Sequence, residues 1–527
     1  MHDSLLSSLL EKCEESKKTL NYFKLLDMIK FSKLFFLLLF FQGLWANNIQ
    51  ISNISLTGQN VTSDFTMVQF DLTWENSWRF NSGPSNWDAA WVFVKYRVGS
   101  GPWLHAFLDN SGHNTGTGTA ATIAPGLLNT ANAFNATTNP AMGAFVHRSG
   151  IGAGTFTQTG LQLRWNYGAN GIADGEPVDI KVFAVEMVFV PQGAFQVGDG
   201  TTTSVQGHFR NGPTNTPLTI SSENALTLGG TANGNLVNNS SAGMSAGDDF
   251  NSFTIQTLPA AFPKGFNAFY CMKYEISQQQ YVDFLNTLTQ TQADARKHTA
   301  TGNRYSITGS TIGNYATNLP FVACNFLSWM DGVAYLDWSG LRPMTELEFE
   351  KACRGTLTPV VDEFAWGTIT ITGATGISNG GANNEVASNA GANAVFNNSV
   401  SVQGPLRVGS FATASSTRAQ AGSSYYGIMD LSGNLWERTV SVGNATGRSF
   451  TAPIHGNGLL TNDGFCDIST WPGFITNKVT GATGAGFRGG AWFVASINLR
   501  ASSRRDATVV NATRVNDFGF RAVRSAP

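Results

Sequence analysis

The sequence predicts an all-β sandwich over residues 47–186, followed by an α+β domain with much irregular loop over residues 187–525. Three observations carry that reading. Before residue 190, apolar or alternating runs rich in Val, Phe, Tyr and Trp recur between turn-forming stretches, the pattern of packed strands. Between residues 277 and 355, three segments open with residues that cap helices. Finally, charged residues are only 13 % of the chain, against a usual level of about 25 %. With 57 Gly and 12 % aromatics, such a chain favours turns, short strands and large apolar contacts over long charged helices.

At the N-terminus, "MIKFSKLFFLLLFFQGLWANN" has a basic start (Lys30, Lys33), an apolar core from Leu34 to Phe41, and Ala46 at a cleavage position. The core is shorter than the ~20 apolar residues a bilayer span needs, so residues 28–46 are expected to be a signal peptide. Residues 1–27 are then an upstream extension or, alternatively, a long n-region. The expected location is secreted, periplasmic or at the cell surface, with no transmembrane anchor after signal cleavage.

The strands come next. "MVQFDLTW", "WVFVKYRV", "LQLRWNY" and "DIKVFAVEMVFV" are the strand candidates, separated by turn-rich stretches such as "NSGPSN" and "DNSGHNTGTGTAA". His105, His113 and His147 are scattered among them in no metal-binding pattern. "MVFVPQGAFQVGDG" adds a strand and a Gly turn.

The first helix follows "FYCMKY". Ser277 and Gln280 form its capping box, and Tyr281, Phe284, Leu285 and Leu288 its apolar stripe. Ser328 caps the second, Trp329, Val333 and Leu336 face inward, and Gly340 stops it. Thr345 and Glu348 box the third. Glu348 and Glu350 do not face each other at a spacing of two, so they are expected to cap and to meet solvent rather than act as a carboxylate pair. Residues 367–424, rich in Gly, Ala, Ser, Asn and Thr, predict long surface loops. After Cys13, four cysteines remain (Cys271, Cys324, Cys353, Cys466). They are expected as structural or free thiols, or as up to two disulfides in an oxidising compartment.

The net charge of -2 and the lack of any Lys/Arg run argue against nucleic acid as a partner. Arginines do gather near the C-terminus (Arg500, Arg504, Arg505, Arg514, Arg521, Arg524). Asp506 and Asp517 interrupt them, which predicts solvated or salt-bridged side chains.

Six blocks then occur in one order: "VPQGAFQVG", "YCMKYEISQQQYVDFLN", "LPFVACNFLSWMDGVAYLDWSGLRPMTELEFEKACRG", "FAWG", "YYGIMDLSGNLWE" and "FRGGAW…GFRAVRS". Over residues 187–525 the chain resembles the formylglycine-generating enzyme (sulfatase-modifying factor) family. The resemblance implies a C-type-lectin-like fold. In catalytic members, two cysteines after the R-G-G motif bind copper and oxidise a substrate cysteine. By the family spacing those positions are Val494 and Leu499 here, the active-site serine is Ala491, and the last residue of W-E-W is Arg438. Neither Val494 nor Leu499 can bind Cu(I), which needs soft sulfur. No copper is therefore expected, and formylglycine generation is disfavoured. The related iron-dependent branch draws its ligands from a His-rich helical domain, which a β-rich N-terminal region does not match. Calcium in the family's loops implies a structural site at Ser432, Gly433, Leu435 and Glu437, with Asn393 and Ala394 as a weaker second match; the alternative for Glu437 is a fold-stabilising salt bridge.

Between Arg488 and Arg521 the ends match the scaffold, but the middle has neither helical nor strand period. It resembles the variable segment in proteins of diversity-generating retroelements, which rewrite such a segment on a fixed frame. The candidate ligand-binding residues are Trp492, Phe493, Val494, Ala495, Ser496, Ile497, Asn498, Ser503, Arg505, Asp506, Val509, Asn511, Thr513, Val515, Asn516 and Asp517. The expected function is non-catalytic recognition of a protein or glycan ligand through residues 492–518. The alternatives are a sulfatase-modifying-factor-like enzyme or a fixed structural or surface paralogue.

Overall fold

The computed structural model describes residues 48–200, 204–239, 243–299, 301–397, 402–451 and 453–527. The signal segment 28–46 and the extension 1–27 lie outside them.

Each strand candidate forms a strand. "MVQFDLTW" lies in Phe65–Arg79, whose side chains alternate between half-buried and buried along most of its length. That is the burial of a sheet with one face in a core. Gln50–Asn60, Phe65–Arg79, Gly152–Trp165 and Thr117–Gly118 form a four-stranded sheet in that order. The second sheet is larger. Its order is Arg342–Pro343, Ala522–Ser525, Phe269–Met272, Val178–Val190, Asp88–Val98, Ala141–Arg148 and Ala121–Leu127, with Leu104–His105 paired to the side of Asp88–Val98. The two sheets share one core. Phe70, Leu72, Trp74, Leu161 and Trp165 from the first pack with Val92, Val94, Ala144 and Val146 from the second, all almost fully buried. Each of the larger of these side chains contributes about 1.5–3 kcal/mol.

The domain boundary expected at 186/187 falls inside a strand. Val178–Val190 runs through it, pairing Glu186 with Ala90 on one side and Met187 with Met272 on the other. The physical reason is legible in "DIKVFAVEMVFV": a nearly continuous apolar run suits a central strand covered on both faces. The described residues from 48 to 527 accordingly cluster as one compact unit.

Both expected capping boxes and the expected Ser328 cap are present, the last as a box with Asp331. Ser277 opens α1 (Gln278–Leu285), Ser328 opens α3 (Trp329–Ser339) and Thr345 opens α4 (Glu346–Arg354). Gly340 ends α3 with a left-handed φ of 72°. A further helix, α2 (Gln290–Arg296), starts at a Thr289/Gln292 box that the sequence also carries. Among the described residues of 367–424 the only strands are two residues long, but the region is not simply surface: Val395, Leu406 and Val408 are buried in one core with Ala323 and Leu435. Among the described residues, no helix is long and apolar enough to cross a membrane.

Glu348 and Glu350 correct the expectation of solvent exposure: both are buried. Their spacing of two does point them apart. Glu348 pairs with Arg342 at 2.6 Å and also caps Thr345, while Glu350 pairs with Arg354 at 2.7 Å and Arg488 at 2.8 Å. Both sides of α4 are covered, so each carboxylate meets a guanidinium instead of water. Cys271, Cys324, Cys353 and Cys466 are free and buried.

Candidate functional site

The segment Arg488–Arg521 is held at both ends by buried charge. Strand Glu437–Val440 pairs with Ala485–Arg488, setting Glu437 opposite Arg488. Arg488 is fully buried, 2.8 Å from Glu350 and 3.3 Å from Glu346, and donates to the Ala501 carbonyl at 2.8 Å. Arg521 closes the far end. It pairs with Glu437 at 2.7 Å and donates to the carbonyls of Met272 and Met429. Next to Arg488, Gly490 has φ of 73°, and a Cβ there would lie 2.5 Å from Leu499. The R-G-G turn therefore needs glycine twice over, for its left-handed backbone and for the close leucine.

The chain between these ends is pinned at intervals. Trp492 receives no solvent to speak of. Its backbone N–H donates to Asn434 O at 2.8 Å and its indole to Asn516 O at 3.1 Å, joining the start of the segment to its end. A short 3₁₀ turn, Ser496–Leu499, drives Leu499 into a pocket of Phe364, Trp366 and Ala394. Arg504 pairs with Asp248 and Glu346, and Arg514 with Asp331. Asn516 donates to Asn303 at 2.9 Å.

Within this frame lies a small apolar cluster of Trp436, Phe487, Ala491 and Phe518. Val494, Val509 and Val515 pack around it, half-buried. Arg438 lies beneath, fully buried, with its guanidinium 4.5 Å and 4.7 Å from the ring centres of Phe487 and Phe518. It donates to the carbonyls of Asn511 at 2.7 Å and Thr513 at 3.3 Å, which fixes the loop above. Burial pushes its pKa down to about 9. Nearby, burial raises the Asp517 carboxyl to about 6, and one of its oxygens has no partner.

The structure thus gathers Val494, Val509 and Val515 around one cluster and orders Asn511 and Thr513 over Arg438. Phe493 is 41 % exposed and meets Trp492 edge-on at 5.4 Å. Ala495 and Thr513 are exposed, and Ser496, Ile497, Arg505, Asp506, Asn511 and Asn516 are half-buried. Four of the expected contact residues are not available. Trp492, Asn498, Ser503 and Asp517 are buried. Trp492 staples the segment, Asn498 sits in the turn packed on Gly490, Ser503 lies in the turn leading into Arg504, and the Asp517 carbonyl accepts from Trp436 N. Val510, between Val509 and Asn511, is 52 % exposed and belongs to the outer surface.

The sequence of this frame decides its kinship. The profile of the sulfatase-modifying factor enzyme 1-like domain matches residues 179–526. The chain belongs to the sulfatase-modifying factor family. The match begins at the strand Val178–Val190, so the shared sheet joins the family domain to the strands before it. Among curated proteins, the comparison finds no match for this sulfatase-modifying-factor chain.

The two stretches expected to hold calcium lie side by side. Asn434 N donates to Val395 O at 3.2 Å, placing the Asn393–Val395 stretch against the Ser432–Glu437 turn. Not all of their oxygen groups fit a cation. Asn393 uses its amide oxygen on Thr372 N and its amide nitrogen on Ala419 O, and Ser432 donates its hydroxyl to Leu499 O. Ala394 O accepts from Ala374 N. Glu437 gives one oxygen to Arg521, but its other oxygen is buried without a partner. That free oxygen is the part of the set that suits a hard cation.

Proposed function

We propose that this chain is an exported, non-catalytic recognition protein that binds a protein or glycan ligand through the exposed part of residues 493–515. The observation that carries the reading is the division within the segment. Arg488, Leu499, Arg504 and Arg521 are fully buried frame, while Phe493, Arg505, Val510 and Thr513 project between them. A rigid frame lets outward side chains change without loss of fold. The family's oxidative chemistry implies thiols at Val494 and Leu499. Those side chains instead fill apolar clusters, and the four described cysteines are buried elsewhere. Rewriting of the outward positions by a retroelement is part of this proposal.

Two experiments test it. Purified protein is screened against immobilised glycans and extracellular proteins, then rescreened as Phe493→Ala and Arg505→Ala. A central anchor lost from the face should weaken binding by about 2 kcal/mol, roughly 30-fold; binding indifferent to both substitutions contradicts the face. In parallel, a cysteine-containing sulfatase peptide is incubated with protein and copper. No formylglycine is expected, and copper-dependent formylglycine would overturn the non-catalytic reading. A calcium ion at Glu437 would stiffen the 432–437 turn and take no part in turnover. Chelation should then lower the melting temperature and added calcium restore it.

A further inference from the structure

Away from that face, three ionisable side chains meet on adjacent strands. Asp88 opens Asp88–Val98, Glu186 lies in the neighbouring Val178–Val190, and Lys273 directly follows Phe269–Met272. All three are buried, at 0 %, 4 % and 3 % exposure. Lys273 Nζ is 3.0 Å from Glu186 Oε2 and 3.7 Å from Asp88 Oδ2. Aromatic rings close the space: Trp78 and Tyr274 stand 5.0 Å and 5.4 Å from the amine, and Trp74 donates its indole N–H to Asp88 Oδ2 at 2.8 Å. The group is unbalanced, with two carboxyls for one amine. Glu186 Oε1 is buried with no hydrogen-bond partner. A pair needed only for stability has no use for a second buried carboxyl with an orphaned oxygen, which carries a desolvation cost of about 1–3 kcal/mol or more.

The remaining contacts point to chemistry. The other oxygen of Asp88, Oδ1, accepts from Ser77 Oγ and from Trp78 N, both at 2.9 Å. Two donors on one oxygen are what an acyl addition requires, because negative charge grows there when a nucleophile attacks the carbon. We propose that Lys273 and Asp88 condense into an intramolecular amide, with Glu186 carrying the protons. The atoms balance as follows. Glu186 takes a proton from the Lys273 ammonium, and the free amine attacks Asp88 Cγ. Charge collects on Oδ1, held by Ser77 and Trp78. Glu186 delivers protons to Oδ2, which leaves as water, and the nitrogen loses its second proton by the same route. One C–N bond forms, one C–O bond breaks, and nothing is oxidised or reduced. Glu186 ends as it began, placed to accept from the new amide N–H.

Two physical points favour the step. Burial raises the carboxyls of Asp88 and Glu186, so their neutral forms are within reach even though the carboxylates favour the charged lysine. Fixed neighbours also replace a bimolecular encounter, where effective molarities reach about 10⁵–10⁸ M. The bond would tie Asp88, outside the matched family span, to Lys273, inside it. It would tie strand Asp88–Val98 covalently to the end of Phe269–Met272 across the strand Val178–Val190 that lies between them. Such a link suits an exported chain that cannot rely on its four unpaired thiols.

The test is a peptide map of the purified full chain. Trypsin cannot cut after an acylated lysine. The expected result is a branched peptide joining the Asp88 and Lys273 segments, lighter by one water than its two parts, with neither linear peptide recovered. Linear peptides with a free Asp88 and cleavage at Lys273 would overturn the proposal, and this reading needs no variant to fold. Glu186→Gln keeps the shape but cannot carry protons. Its map should contain only the linear peptides, with the near-ultraviolet spectrum of the folded wild type; a branched peptide at the wild-type level would overturn the role given to Glu186.

Discussion

Arg504 and Arg505 are neighbours in sequence and opposites in position, which allows frame and face to be separated by two substitutions. All of Arg504's donors are used: Nε on Glu346 at 2.8 Å, Nη1 on Asp248 at 2.7 Å and Gly207 O at 3.0 Å, and Nη2 on Asp248 at 2.8 Å and Glu346 at 3.2 Å. Its plane lies 4.0 Å from the centre of the Phe209 ring. Arg504→Met keeps most of the volume and removes the charge. Glu346 retains Arg488, but Asp248 is left buried without its ion-pair partner. Breaking a buried pair from one side costs about 3–5 kcal/mol, mostly for the charge left behind. Arg505 has a side chain 41 % exposed, and its carboxylate neighbour Asp506 is 3.7 Å away. Arg505→Ala should therefore change stability by no more than about 0.5 kcal/mol. Urea unfolding followed by tryptophan fluorescence measures both. With an m-value of about 3–4 kcal/mol/M, Arg504→Met should move the midpoint by roughly 1 M, and Arg505→Ala should not move it. Equal losses for the two variants, or a loss under about 1 kcal/mol for Arg504→Met, would refute the assignment of frame and face.

Three further expectations follow the same logic. Asp517 is held at about 6 by burial, above its ordinary 3.8. The folded state therefore takes up a proton as pH falls through 6, before the unfolded chain does, so this group's contribution to stability rises between pH 6 and 4. Asp517→Asn should be more stable than wild type at pH 7.5, by up to about 3 kcal/mol, and equal to it near pH 4; a difference independent of pH would contradict the cause given. In α3, a Cβ on Gly332 would lie 1.8 Å from the Phe520 ring, so Gly332→Ala should cost about 1–3 kcal/mol or more in urea unfolding. Cys271, Cys324, Cys353 and Cys466 are fully buried, and burial pushes their thiols up, Cys271 to about 12. They should be inert to a thiol reagent in the native protein and react after denaturation, because the thiolate is the nucleophile.

Local features were legible in the sequence and distant ones were not. The boxes at Ser277, Ser328 and Thr345 involve residues three apart, so the chain alone specifies them. The ladder that joins Arg354, Glu350, Arg488, Glu346, Arg504 and Asp248 does not have that property. Its cross-chain links pair residues more than 130 positions apart, and a single sequence does not say which arginine meets which carboxylate. For that reason the sequence alone predicts Glu350 in solvent, where the structure buries it. The segment after R-G-G was found by its frame residues, but exposure inside it depends on which side chains turn inward. Trp492 and Asp517 turn inward because their backbones bond to Asn434 and Trp436 across the site. The position 186/187 lies within a strand for a related reason: a strand shared by two sets of neighbours looks, in sequence, like the end of one domain and the start of another.

The most direct test of a recognition face on a fixed frame is sequencing of this locus across a population of the source organism. The account predicts substitutions concentrated at Phe493, Val494, Ala495, Ile497, Arg505, Val509, Val510, Asn511, Thr513 and Val515, with Arg488, Leu499, Arg504, Asp517 and Arg521 unchanged, and an adenine-rich copy of the segment beside a reverse-transcriptase gene. Substitutions spread evenly over buried and exposed positions, or a segment invariant throughout the population with no such copy, would contradict it.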